Sequence, residues 1–194
     1  CWTFSKVRWK FFSSKFKLIM FDSYDYIDST KFTGKIILTS FPGLNDEGKY
    51  DEKILISQLE VFSNNQCSSI TSFVEDKEFD ALCDKKLFVE KIYRHNLKWY
   101  HMPIADLGAP NQDFKYKWDT TKVLLKNELL EGQNIIFHCR GGKGRAGTIA
   151  AILLVDFGHA KTEAIDLVRE RRKGAIETKA QEDFILNYNI YKWG

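Results

Sequence analysis

Ile135-Ile136-Phe137-His138-Cys139-Arg140-Gly141-Gly142-Lys143-Gly144-Arg145-Ala146-Gly147-Thr148 is the stretch from which the rest of this 194-residue sequence can be read. A short apolar run ends in His138-Cys139, passes through a glycine-rich loop and enters an apolar helix at Arg145. Physically this is a strand delivering a thiol into free backbone amides at a helix N-terminus, with a guanidinium beside it. Such amides, with the helix dipole behind them, bind a tetrahedral dianion and favour a thiolate in the same place. Gly141, Gly142 and Gly144 let the loop turn sharply without Cβ clashes. Arg145 can grip two oxygens of one phosphate with its planar fork. The stretch predicts a phosphate site formed by residues 140–145, with Cys139 as nucleophile and His138 as a supporting strand-end residue.

Outward from this loop, β-rich runs at residues 35–40, 69–75, 99–104 and 134–139 alternate with helical patterns. Leu55, Leu59 and Phe62 share one helix face; Leu87, Ile92 and Tyr93 share another; Phe114, Trp118, Leu125 and Leu129 mark a longer helix after Pro110. Beyond the loop, one helix is expected over about 145–157, stopping at Gly158, and a second begins near Thr162 with Ile165 and Val168 inward. A third begins at Thr178, where Thr178 and Gln181 form a capping-box pattern, and buries Phe184, Tyr188 and Tyr191. The alternation predicts an α/β fold, a mostly parallel central sheet flanked by helices on both faces.

Ligands of such sheets bind beyond the carboxyl ends of the strands. Cys139 ends one strand, and Asp106 lies just past another, in Ile104-Ala105-Asp106-Leu107-Gly108-Ala109-Pro110. The two therefore meet at one rim. Asp106 is the candidate acid that protonates a departing alkoxide or phenoxide, then the base for the water that hydrolyses the thiophosphate. The chemistry requires no metal and no cofactor.

Composition bounds the rest. One domain is expected at this length, and no apolar run reaches the roughly 18 residues of a membrane span. Cys1, Cys67, Cys83 and Cys139 have neither metal-ligand spacing nor a disulfide framework, which fits a reducing, cytoplasmic setting. The net charge of +3 conceals an asymmetry: residues 1–21 carry Lys6, Arg8, Lys10, Lys15 and Lys17 and no acid, so the remainder is mildly acidic. A nucleic-acid partner is not indicated. The chain opens on Cys1 without a methionine, as a processed or truncated product would. Residues 1–29 read as a basic aromatic N-terminal arm, with Trp2, Trp9, Phe12 and Phe16 on one helical face, and 30–194 as the catalytic domain. The arm is expected to pack on the domain, with an anionic membrane surface as the alternative, peripheral setting.

Taken together, these residues resemble the cysteine-dependent protein tyrosine and dual-specificity phosphatases, and within them the kinase-associated phosphatase group and its bacterial relatives. Pro103-Ile104-Ala105-Asp106 resembles the group's general-acid loop. Arg172-Lys173-Gly174-Ala175-Ile176-Glu177-Thr178, followed by Gln181, resembles its C-terminal loop and helix start. Residues 32–43, with Ile36-Ile37-Leu38 and Phe41-Pro42-Gly43, resemble its first core strand and turn. The resemblance spans about residues 30–193. It implies Cys139 as nucleophile, Arg145 as phosphate clamp, Asp106 as general acid and Gln181 near the attacking water. It also implies a monomer with a shallow pocket acting on phosphotyrosine and phosphoserine/threonine in proteins through a cysteinyl-phosphate.

Two positions depart from the pattern. Ala146 stands where the wider superfamily has a hydroxyl residue that stabilises the thiolate, and Thr148, about 200° around the helix, cannot replace it. A lost hydrogen bond to a charged group is worth roughly 1.5–3 kcal/mol, so slower breakdown of the intermediate is expected, and a non-catalytic phosphate-binding role stays open. Lys143, with Arg140, makes a loop of three cations resembling that of phosphatase-and-tensin type lipid phosphatases. A phosphoinositide substrate, reached through the basic N-terminus, is the second alternative.

Overall fold

The computed structural model describes residues 24–189. Five strands form one sheet: β1 (Tyr24–Ile27), β2 (Ile36–Thr39), β3 (Cys67–Ser72), β4 (Lys98–His101) and β5 (Asn134–His138). Their order is β1-β2-β5-β3-β4, with β1 antiparallel to β2 and every other pair parallel. The cysteine-bearing strand, β5, is therefore the central one. Its consecutive side chains serve opposite faces. Ile135 and Phe137 enter the core beneath α4 (Gln112–Leu130), α5 (Gly144–Asp156), α6 (Lys161–Arg171) and α7 (Lys179–Asn187). Ile136 enters the core beneath α1 (Glu52–Asn64), α2 (Asp76–Leu82) and α3 (Lys85–Arg94). An alternating strand buried on both faces is apolar throughout, which is why 135–137 carries no polar residue.

α5 is buried along its length from Gly144 to Val155, and its sequence is correspondingly apolar all round. It stops where Gly158 adopts φ +86°, a conformation that costs glycine least. Leu55, Leu59 and Phe62 of α1 face the core, as do Phe114, Trp118, Leu125 and Leu129 of α4. Ile165 and Val168 of α6 point inward as well.

Four expectations are corrected. The run at 69–75 ends as a strand at Ser72, and Glu75 begins a helix, α2, that the sequence pattern did not reveal. On α3 the buried pair is Phe88 and Ile92, whereas Leu87 and Tyr93 stand 49% and 57% exposed. On α7 the fully buried apolar residue is Ile185, Phe184 is half-buried, and Tyr188 is buried just past the helix; Tyr191 lies outside the described residues. Residues 24–27, assigned to the N-terminal arm, form the edge strand β1, so the boundary at 29/30 cuts through the sheet's first connection. The helical face of Trp2, Trp9, Phe12 and Phe16 lies outside the described residues. Among the described residues no helix is long and apolar enough to cross a membrane.

Candidate active site

The loop after β5 is built by directing its carbonyls outward. Arg140 O accepts from Phe41 N at 3.0 Å, Gly141 O from Arg172 Nη2 at 3.1 Å, and Lys143 O from Gly147 N at 3.0 Å and Ile176 N at 3.3 Å. In a trans peptide the next residue's N–H points opposite to the carbonyl. The amides of Gly141, Gly142 and Gly144 are thereby turned toward the loop interior, and Gly142 N donates to Cys139 Sγ at 3.2 Å. Cys139 itself is buried.

The three loop glycines are not equivalent. Gly142 has φ +67° and a Cβ there would collide with the carbonyl of Thr39. A Cβ on Gly144 would collide with Glu177 Oε2 and come within 2.9 Å of Gln181 Nε2. Gly141 borders open space and is exposed.

Arg145 is 2% exposed, and its guanidinium is oriented by acceptors on both terminal nitrogens. Nη1 and Nη2 donate to Glu78 Oε2 and Oε1 at 2.6 and 2.8 Å, and Nη1 also donates to Ile104 O at 3.2 Å. Asp106 Oδ1 lies 3.0 Å from Nη2, its own side chain 62% exposed. The structure thus brings Cys139, Arg145 and Asp106 to one rim, as their strand-end positions predict. Glu78 was missed. Burial raises its carboxyl, but the hydrogen bonds from Arg145 and from the Glu75 amide outweigh that and hold it below the ordinary glutamate value. A bidentate carboxylate fixes a guanidinium's plane, so Glu78 sets the direction in which Arg145 presents its remaining N–H groups.

His138 is wholly buried. Trp99 Nε1 can only donate, so Ser72 Oγ accepts it at 2.8 Å and is left to give its own proton to His138 Nε2 at 2.6 Å. The Cys139 carbonyl can only accept, so His138 Nδ1 carries the ring proton toward it at 3.3 Å. Burial pushes the imidazole down to about 3, which keeps it neutral. His138, with both ring nitrogens engaged, holds the strand end in register.

Gln181 is also wholly buried, and most of its hydrogen-bonding capacity is spent. Oε1 accepts from Glu177 N at 2.9 Å and Thr178 N at 3.3 Å, and Nε2 donates to Gly108 O at 3.1 Å. With Thr178 Oγ1 donating to Leu107 O at 3.2 Å, the start of α7 clasps the Asp106 loop. The expected capping box is present, and one N–H of the Gln181 amide is left for any water. Thr178 and Gln181 could be read from the sequence as a cap; that the same residues tether the acid's loop could not.

Arg140 and Lys143 are exposed on the rim, with no ion pair among the described residues. Thr148 Oγ1 donates to Gly144 O at 2.8 Å, back along its own helix and away from Cys139. Cys67 pairs with Asn134 at the far end of β5, five residues before Cys139 and so about 16 Å away along a strand, well beyond the roughly 7 Å a disulfide spans. No three His, Cys, Asp or Glu side chains among the described residues come together as a metal site would need.

A family profile described as "PTP-SAK: Swiss Army Knife protein, DSP-PTPase phosphatase domain" matches residues 85–185. The chain is 32% identical over 111 residues to a probable protein tyrosine phosphatase type IVA A of Dictyostelium discoideum, covering 57% of this chain and 65% of that protein. It therefore spans somewhat less than two thirds of that relative's length. A crystal structure of kinase associated phosphatase, with its catalytic-site cysteine substituted by serine, superposes with a TM-score of 0.70 at 21% identity, over 84% of this chain and 90% of that one. PTPMT1 crystallised with PI(5)P gives a TM-score of 0.61 at 17% identity, over 85% and 96%. At those identities the two structures speak to the fold.

Proposed function

The chain belongs to the cysteine-based protein tyrosine and dual-specificity phosphatases, in the DSP-PTPase domain family, and from that premise we propose that it hydrolyses phosphotyrosine and phosphoserine/threonine on proteins through a cysteinyl-phosphate. The observation that carries the reading is the guanidinium of Arg145, held by Glu78 at the mouth of the Cys139 loop with Asp106 on the same nitrogen pair. A phosphate bound by the inward amides of 141, 142 and 144 finds its equatorial oxygens neutralised by Arg145. The Cys139 sulfur then attacks phosphorus while Asp106, protonated, gives its proton to the leaving oxygen. Water hydrolyses the S–P bond and returns the thiolate.

The test is cleavage of p-nitrophenyl phosphate, inhibited by vanadate and abolished in Cys139→Ser. Retained cleavage in that variant would remove Cys139 from the chemistry, and binding of phosphate without any cleavage would make this a phosphate-recognition module. Asp106→Asn should lose far more rate on a phenyl or alkyl leaving group than on p-nitrophenol. Equal losses would assign the proton to another group.

A second reading has its own support: exposed Arg140 and Lys143 flank the loop glycines without an ion pair among the described residues, and one structural neighbour was crystallised with a phosphoinositide. Phosphopeptides and short-chain phosphoinositides assayed side by side decide between them. A preference of about tenfold or more in kcat/KM for the lipid, some 1.4 kcal/mol, would put the phosphoinositide first and the phosphoprotein second.

A further inference from the structure

Glu177 stands where a second working carboxylate would stand. Its Oε2 lies against Gly144, close enough that even a methyl group there would collide with it, beside the Gln181 amide. No ion pair or hydrogen bond engages that carboxylate among the described residues, although the side chain is exposed. Its backbone is preset at a cost. Ile176, β-branched and buried, adopts φ +60°, which such residues rarely do. That conformation is held from the loop side by Ile176 N donating to Lys143 O, and from α6 by Arg169 Nη2 donating to Ile176 O at 3.2 Å.

The Asp106 turn has the same construction. Leu107, directly after Asp106, adopts φ +57°. Leu107 O and Gly108 O are clasped by Thr178 Oγ1 and Gln181 Nε2, while Gln181 Oε1 takes the Glu177 amide. One buried amide side chain therefore ties together two strained turns, each presenting one carboxylate to the phosphate loop. Asp106 already rests on Arg145, whereas the Glu177 carboxylate has no ion-pair or hydrogen-bond partner among the described residues.

We propose that Glu177 is the base of the second half-reaction, a role that rests on the phosphatase reading above. In the first half, Asp106 gives its proton to the leaving oxygen as the S–P bond forms and the P–O bond breaks. Asp106 then regains a proton from solvent, and the base role that the sequence suggests for it passes to Glu177. In the second, the oxygen of a water forms the new P–O bond, and the S–P pair returns to sulfur as thiolate. The proton lost by that water passes to the Glu177 carboxylate and then to bulk.

Such a residue acts after the leaving group has departed, so it enters kcat but not kcat/KM, and this separates it from a structural role. In the full chain with p-nitrophenyl phosphate, Glu177→Gln should keep a burst of one p-nitrophenol per enzyme and an unreduced kcat/KM. Its steady-state kcat should fall by about a hundredfold, with cysteinyl-phosphate accumulating in a quenched sample. Glu177→Ala should behave alike. A kcat within about twofold of the unsubstituted enzyme would overturn the proposal, and so would equal losses in kcat and kcat/KM. Failure of the phosphatase reading has a different signature: the unsubstituted enzyme itself would give neither burst nor turnover.

Discussion

At the carboxyl end of the sheet Glu78 gives both its oxygens to Arg145; at the amino end Glu128 of α4 accepts from Ser68 Oγ at 2.7 Å, Ser69 Oγ at 2.6 Å and Lys98 Nζ at 2.8 Å. Both carboxylates are buried; Glu128 ties a helix to the sheet, whereas Glu78 ties α2 to the first turn of α5. The difference lies in what their partners have left to do. The two serines and Lys98 are satisfied by Glu128, so that cluster ends in structure. Arg145 still presents donors toward the loop, where Asp106 now lies and where a phosphate would lie. A buried acid marks a working site when its partner has unspent valence, not because it is buried.

Breaking each pair should separate the two roles. Removing one partner of a buried ion pair costs about 3–5 kcal/mol because the other charge is stranded. Glu78→Gln leaves Arg145 half-held, and we expect a loss of about 100-fold or more in kcat/KM for p-nitrophenyl phosphate, together with lowered stability. If activity fell no more than stability required, Arg145 would not depend on Glu78 for its direction. Glu128→Gln keeps an acceptor for the serines, and should cost roughly 2 kcal/mol in urea unfolding with kcat/KM unchanged. A large loss of activity there would mean the two ends of the sheet are coupled.

Acid should sharpen the contrast, since the carboxyl end holds a buried neutral histidine. His138 has an ordinary value of 6.5 and is pushed down to about 3 in the fold by burial. Between those values the unfolded chain binds the extra proton, so this contribution to stability is complete above pH 6.5 and declines as the pH falls toward 3. The slope is about 1.4 kcal/mol per pH unit for one proton. His138→Gln, which can still accept from Ser72, should show a shallower pH dependence of unfolding by up to that amount, whatever its stability at pH 7. Parallel curves for the two proteins would show that the imidazole is protonated in the fold.

The same contrast explains what could be read in advance. Cys139, the loop glycines and Arg145 are contiguous, so strand, turn and helix start could be inferred from one stretch. Asp106 needed only the rule that parallel strands share a functional rim. Glu78 needed more: it reaches Arg145 across 67 residues of sequence from a seven-residue helix whose N-cap is a glutamate, not one of the usual capping residues. Tyr24-Asp25-Tyr26-Ile27 alternates as a strand should, but its aromatic residues merged with those of the basic segment before it. Leu87 and Tyr93 fit a helical period as well as Phe88 and Ile92 do, and only packing chooses between such faces.

The smallest expected effect concerns a missing side chain. Ala146 is buried in the first turn of α5, directly after the arginine that Glu78 directs. Among the described residues Cys139 Sγ accepts one hydrogen bond, from the Gly142 amide, and Thr148 cannot add another because its hydroxyl is committed to Gly144 O. A hydroxyl at 146 would stabilise the thiolate as leaving group when the S–P bond breaks, by up to roughly 1.5–3 kcal/mol if well aligned. Packing against neighbours that now accommodate a methyl group offsets part of this, so Ala146→Ser should raise kcat a few-fold, about 1 kcal/mol, and lower the steady-state level of cysteinyl-phosphate. Its dependence on Glu177 is informative. If thiolate departure and proton removal occur in one step, Ala146→Ser should still speed the Glu177→Gln variant, whose second half-reaction limits turnover even more severely. An Ala146→Ser enzyme unchanged in both backgrounds would mean that the loop amides alone already suffice to release the sulfur.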